Sequence, residues 1–212
     1  MTGFAKIKKG ENVLDLGCGT GVIPVLLSAK SNGSRFTGIE IQENLADLAQ
    51  RNVSLNNLSE RIKIINADIN EIKNIIGAGS FDAVTANPPY IKNRAGIKNI
   101  SDSKTIARHE IKIDLRGIIS AAAWALRFGG RLYMIHRPER LVEIIKTLSE
   151  HKLEMKALRF VHSFADKKPS MALIEAAYGG KTRLGVMPPL IIYKEPGVYS
   201  DEVTEIYYGG HQ

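Results

Sequence analysis

Asn87-Pro88-Pro89-Tyr90 is the part of this chain whose residue types and spacing suit one particular chemistry. An amino group attached to an aromatic base or to a carbonyl is a poor nucleophile, because its lone pair is delocalised. Two acceptors, one on each of its hydrogens, orient it and take up the positive charge that develops as it attacks. The Asn87 side-chain oxygen is one such acceptor. The other is the backbone carbonyl of Pro88, held rigid by the fixed φ of successive prolines. Tyr90 adds a flat face on which a base turned out of its stack can rest. The catalytic candidates are therefore Asn87, Pro88, Pro89 and Tyr90. Pro-Pro also ends strands in ordinary turns, so what precedes the motif has to separate the two readings.

Upstream, Asn12-Val13-Leu14-Asp15-Leu16-Gly17-Cys18-Gly19-Thr20-Gly21 is an apolar strand running into a glycine-rich turn, after which Val22 starts a helix. The glycines alternate and an acid stands inside the strand, unlike the dinucleotide fingerprint with its third glycine three positions on. This is the S-adenosylmethionine variant of the loop, with no pyrophosphate to cradle and carboxylates facing an ammonium and ribose hydroxyls. A second strand ends at Glu40, 23 positions after Gly17, where an acid would bind a ribose diol. A third runs into Asp68-Ile69, an acceptor for an adenine amino group followed by an apolar wall. The cofactor-binding candidates are Asp15, Gly17, Cys18, Gly19, Gly21, Glu40, Ile41, Asp68, Ile69 and Asn87. Each acid alone is more often a cap or a solvated turn residue. Several strand ends carrying suitable groups in order are not.

With these motifs the chain resembles the class I methyltransferases and, among them, the tRNA1(Val) adenine-N6 methyltransferases. The finer resemblance rests on Ala107-Arg108-His109-Glu110, Met134-Ile135-His136-Arg137-Pro138-Glu139-Arg140, Arg159-Phe160-Val161-His162, Pro188-Pro189-Leu190-Ile191-Ile192-Tyr193 and Ile206-Tyr207-Tyr208-Gly209. It implies methylation of N6 of the adenine 3′ of the anticodon in a valine tRNA, with S-adenosylmethionine as donor and S-adenosylhomocysteine as product. Two departures stand out. Ser163 occupies a position where the family has proline, and the family carries a few dozen residues ahead of the position of Phe4. Residues 1–11 are thus expected to be a lead-in lacking that segment. Rival readings are glutamine methylation of a protein, amino methylation of rRNA or DNA, and a non-catalytic RNA- or cofactor-binding module.

The charge pattern agrees with a polyanionic substrate. The chain has 212 residues and a net charge of +7. Seven bases (Lys92, Arg94, Lys98, Lys104, Arg108, Lys112, Arg116) stand against three acids (Asp102, Glu110, Asp114) just after the tetrapeptide, where phosphates flanking an extruded base would pass. Tyr90, Lys92, Arg94, Arg108 and His109 are the substrate-binding candidates, with residues 92–106 expected to form a mobile basic loop. A solvated helix face is the plainer explanation of the same charges. Cys18, the one cysteine, fits as a small residue in the loop, and the five histidines lack metal-ligand spacing, so no metal is expected. No apolar run is long enough for a membrane span and no signal peptide is evident, so a cytoplasmic enzyme is expected; sequence leaves its oligomeric state open, with a monomer favoured.

The elements that must position these groups alternate. Apolar β-type runs at Asn12–Leu16, Arg35–Glu40, 61–66, Phe81–Ala86 and 131–136 interleave with helical patterns at Val22–Lys30, 44–55, 70–76, 105–128 and 139–151. Two runs at 156–163 and 171–177, with no helix between them, read as an antiparallel pair. The expectation is a single α/β domain over residues 1–212. Its fold would be a doubly wound, Rossmann-like class I methyltransferase with a seven-stranded, mostly parallel sheet ending in an antiparallel hairpin. Residues 188–193 add a short edge segment, and 209–212 form a tail.

Overall fold

The structure, a computed structural model, describes residues 1–31, 34–88 and 114–209. Pro89, Tyr90, Lys92, Arg94, Arg108 and His109, the loop 92–106 and the end of the tail, 210–212, lie outside the described residues.

Five strands run parallel: β1 Asn12–Leu16, β2 Arg35–Glu40, β3 Ile62–Asn66, β4 Phe81–Ala86 and β5 Leu126–His136. Helices α1 Val22–Lys30, α2 Glu43–Leu55, the one-turn α3 Ile72–Ile75 and α4 Leu115–Ala125 separate them. After α5 Leu141–Glu150 come β6 Leu153–His162 and β7 Pro169–Tyr178, and β7 inserts antiparallel between β5 and β6. Two short strands, β8 Gly185–Val186 and β9 Leu190–Ile191, pair parallel with β6. The order is β3-β2-β1-β4-β5-β7-β6-β8, with β9 also on β6, so the sheet has nine strands among the described residues rather than the expected seven. The two extra strands are the edge segment, extended to Gly185. Next come a small hairpin of β10 Tyr193–Glu195 and β11 Val198–Tyr199, then helix α6 Asp201–Tyr208.

The central strands are apolar throughout because both sheet faces are covered. Leu14, Leu16, Ile39 and Val84 pack beneath α4, whose buried face is Leu115, Ile118, Ile119, Ala122 and Ala125. Val13, Phe36, Ala83 and Tyr133 pack on the opposite face, against Leu27 of α1 and Val53 of α2. The period-two alternation of a strand therefore places Asp15, Gly38 and Thr85 on the side of Val13, Phe36 and Ala83, along with Glu40.

Some elements differ from expectation. The helical pattern 70–76 is a 3₁₀ turn, Ile69–Glu71, followed by the single turn of α3, because Asp68 caps the turn by accepting the Asn70 N–H at 2.8 Å. Residues 126–128, expected at a helix end, belong to β5. Phe81 pairs with Leu126 and Ala83 with Arg131, so residues 127–130 bulge out opposite Asp82, whose carboxylate holds Arg127 Nε at 2.5 Å. The lead-in is tied down. Arg131 grips both Glu11 oxygens at 2.5 Å and donates to the Lys6 carbonyl at 3.0 Å, while Phe4 packs edge-on against Tyr133. Among the described residues, no helix is long and apolar enough to cross a membrane.

Candidate active site

β1 stands next to β2 on one side and β4 on the other, so the chain winds away from it in both directions. The carboxyl ends of strands flanking such a reversal form the crevice where α/β sheets hold ligands. In register, Asp15 lies between Gly38 of β2 and Thr85 of β4. Glu40 is opposite Asn66 at the end of β3, and Asn87 and Pro88 follow directly on β4. Asp15, Glu40, Asn87 and Pro88 therefore stand at one rim of the sheet.

The glycine turn rises between β1 and β2. The N–H groups of Gly17 and Cys18 both donate to the Ile39 carbonyl, at 2.9 and 3.0 Å. Gly17 and Gly19 have φ of +70° and +55°, where a side chain strains the backbone, and space is open where their Cβ atoms would stand. The loop therefore presents bare backbone to whatever occupies the rim. Gly21 ends the turn and is the N-cap of α1, and Asn52 of α2 braces it by donating to the Thr20 carbonyl at 2.9 Å. Cys18 is buried against Gly38, whose absent side chain makes room: a Cβ there would stand 2.7 Å from the thiol sulfur. Burial, then the Asp15 and Glu40 charges, pushes that thiol far above its usual range, so it is no nucleophile.

The two acids differ in what they do. Glu40, 5% exposed, accepts the Gly19 N–H on one oxygen and the Gln42 N–H on the other, both at 2.9 Å. It is the clamp that shapes the turn. Asp15, 2% exposed, accepts the Thr85 hydroxyl at 2.6 Å on Oδ1, and its Oδ2 has no partner among the described residues. Burial raises its pKa from 3.8 to about 7; the Thr85 hydrogen bond opposes this and the Glu40 charge adds to it. A buried acceptor left open beside a second carboxylate suits a ligand that brings a cation or hydroxyl donors.

Other candidates fall out differently. Asp68 is half-buried and caps the turn after β3 through the Asn70 N–H. Ile69, expected as the apolar wall for an adenine, turns inward and is 2% exposed in the core beneath α4. Ile41 is half-exposed next to Glu40. Asn87 is exposed and Pro88 buried at the end of β4. Thr85 was missed in sequence. Its signal was present, a hydroxyl residue within the apolar run Phe81-Asp82-Ala83-Val84-Thr85-Ala86, two positions before Asn87. His136 ends β5 one strand beyond Asn87. It is buried, accepts the Arg137 N–H at 2.8 Å, and has its pKa lowered by burial and by Arg140. Among the described residues, no group of three or more His, Cys, Asp or Glu side chains is placed to hold a metal ion.

Strand order, glycine turn and C-terminal antiparallel pair together define a class I methyltransferase fold. The crystal structure of a predicted O-methyltransferase from Agrobacterium tumefaciens superimposes with a TM-score of 0.80 at 21% identity, covering 99% of this chain and 94% of that one. The chain belongs to the methyltransferase small domain family, whose model matches residues 3–161. A Porphyromonas gingivalis protein named tRNA1(Val) (adenine(37)-N6)-methyltransferase is 31% identical over 205 residues, 93% of this chain and 80% of the relative. A Pedobacter heparinus protein of the same name is 27% identical over 193 residues, 91% and 80% of the two chains.

Proposed function

We propose that the chain transfers a methyl group from S-adenosylmethionine to N6 of an adenine in tRNA, the adenine 3′ of the anticodon of a valine tRNA being the target. The observation that carries this reading is the convergence of Asp15, Glu40 and Asn87 on the carboxyl ends of three strands around one reversal of strand order. The named activity of relatives that match nearly the whole chain supports the choice of substrate.

The residues present fit the cofactor. The open Asp15 Oδ2 and the bare backbone at Gly17 and Gly19 suit its ammonium and methionyl part. Glu40, which orders the turn through Gly19, is the ribose acid of this reading, with Ile41 beside the ring and Asp68 receiving the adenine amino group. When bound, the cofactor supplies an electrophilic methyl group on sulfonium. Asn87 Oδ1 and the Pro88 carbonyl accept the two hydrogens of the target amino group and hold its nitrogen in line with the methyl carbon. Positioning supplies most of the rate. Methylation would leave the target nitrogen cationic and S-adenosylhomocysteine as the leaving group, and the nitrogen's proton would pass to water, so no residue of the chain need act as a strong general base. Pro89 and Tyr90 complete the motif, Tyr90 stacking on the extruded adenine, and Lys92, Arg94, Arg108 and His109 contact the flanking backbone.

Asn87→Ala separates binding from chemistry. Methyl transfer to tRNA should fall at least ~100-fold, in the range for losing one positioned polar group, with S-adenosylhomocysteine affinity within about twofold of the parent. Equal losses in both would remove Asn87 from its assigned role.

A further inference from the structure

Asp15 is held by a residue that the methyl-transfer scheme does not use. Thr85 is 0% exposed, and its hydroxyl lies 2.6 Å from Asp15 Oδ1 and 3.4 Å from the Leu14 carbonyl. A hydroxyl has one proton and two lone pairs. With Asp15 ionised, Thr85 donates to the carboxylate. With Asp15 protonated, the acid can donate to the Thr85 oxygen while the Thr85 proton turns to the Leu14 carbonyl. One side chain thus serves both charge states and fixes the carboxyl in the same rotamer in each.

We propose that Thr85 is a positioning residue of the cofactor site, presenting Asp15 Oδ2 to the ligand's donors and setting the proton state in which the site binds. The inference rests on the methyl-transfer reading and deepens it. The groups acting on Asp15 are Glu40 from β2 and Thr85 from β4, with the Cys18 thiol of the turn close enough to feel its charge, and the charge acting on it is the Glu40 carboxylate. A ligand ammonium placed beside two carboxylates that repel each other stabilises the ionised pair, so binding is disfavoured when Asp15 holds a proton. The Thr85 bond favours ionisation, against burial and Glu40.

The test is calorimetric titration of S-adenosylhomocysteine into the full chain from pH 5.5 to 8.5, for the parent, Thr85→Val and Thr85→Ser. The parent should bind about tenfold more weakly at pH 6 than at pH 8, following ionisation near pH 7. In Thr85→Val the affinity at pH 8 should fall at least ~10-fold, the loss expected for one hydrogen bond to a charged group. Its midpoint should move up by about one pH unit or more, and Thr85→Ser should restore both. A folded Thr85→Val with the parental midpoint, or weakened binding that Thr85→Ser does not restore, overturns the proposal while leaving the methyl-transfer reading standing. A parent that binds at no pH overturns the cofactor site itself, and this inference with it.

Discussion

Replacing Asp15 with Asn should change how the stability of the ligand-free protein depends on pH. Asp15 titrates at 3.8 when solvated and at about 7 in the fold. The folded chain therefore holds a proton that the unfolded chain releases across that interval, and stability falls as pH rises through it. The contribution is fully present below pH 4 and fully lost above pH 7. A shift of about three units corresponds to a ceiling of ~4 kcal/mol, a large share of the stability of a domain this size. Asparagine is nearly isosteric, still accepts the Thr85 hydroxyl and cannot ionise. Urea unfolding at steps from pH 4.5 to pH 8, for the parent and Asp15→Asn, should show the parent losing ~3 kcal/mol more than the variant over this range, the rest of the interval lying below pH 4.5. Saturating S-adenosylhomocysteine should offset that loss in the parent at pH 8, because it binds the ionised form. Parallel profiles for the two proteins would refute the reasoning, placing Asp15 in contact with water and ionised at every pH tested.

Two further substitutions test the framework around the site. Gly38→Ala puts a methyl 2.7 Å from the Cys18 sulfur and 3.0 Å from Ile64 Cδ1; it should cost about 1–3 kcal/mol by overpacking in denaturant unfolding, and adding Cys18→Ala should recover part of it. Arg131→Met leaves Glu11, of which only 10% of the side chain is exposed, with the Lys8 N–H at 2.8 Å but without its guanidinium, so about 3 kcal/mol should be lost, with earlier proteolysis of residues 1–11, whereas Glu11→Gln with Arg131→Met should regain much of the stability.

Sequence was a good guide wherever local pattern decides structure. The first four strands were readable because buried parallel strands are continuous apolar runs, and the glycine turn because alternating glycines after a strand have few other uses. Where tertiary contacts decide, it was less informative. The helical periodicity of α4 continues through Phe128, yet pairing with β4 claims residues 126–136 for a strand and ejects 127–130 as a bulge. Helix α6 was missed although Ser200 caps it by accepting the Val203 N–H at 3.3 Å, with Asp201 and Glu202 in its first turn. That cap is a legible start signal, obscured by the short, charged stretch it opens. At the site, sequence named both acids but not that Glu40 holds the Gly19 and Gln42 N–H groups while Asp15 Oδ2 has no partner among the described residues. Only the register of β1 against β4 places Thr85 on Asp15, and only the fold shows Ile69 facing the core rather than the rim.

The central claim is methyl transfer to an adenine amino group in tRNA. Its most direct test is incubation of the full chain with methyl-labelled S-adenosylmethionine and tRNA from cells lacking the modification, followed by nucleoside digestion and chromatography. The account predicts label in N6-methyladenosine, recovered from valine tRNA and lost with Asn87→Ala. Label in another nucleoside, or in protein glutamine and not in RNA, would contradict it.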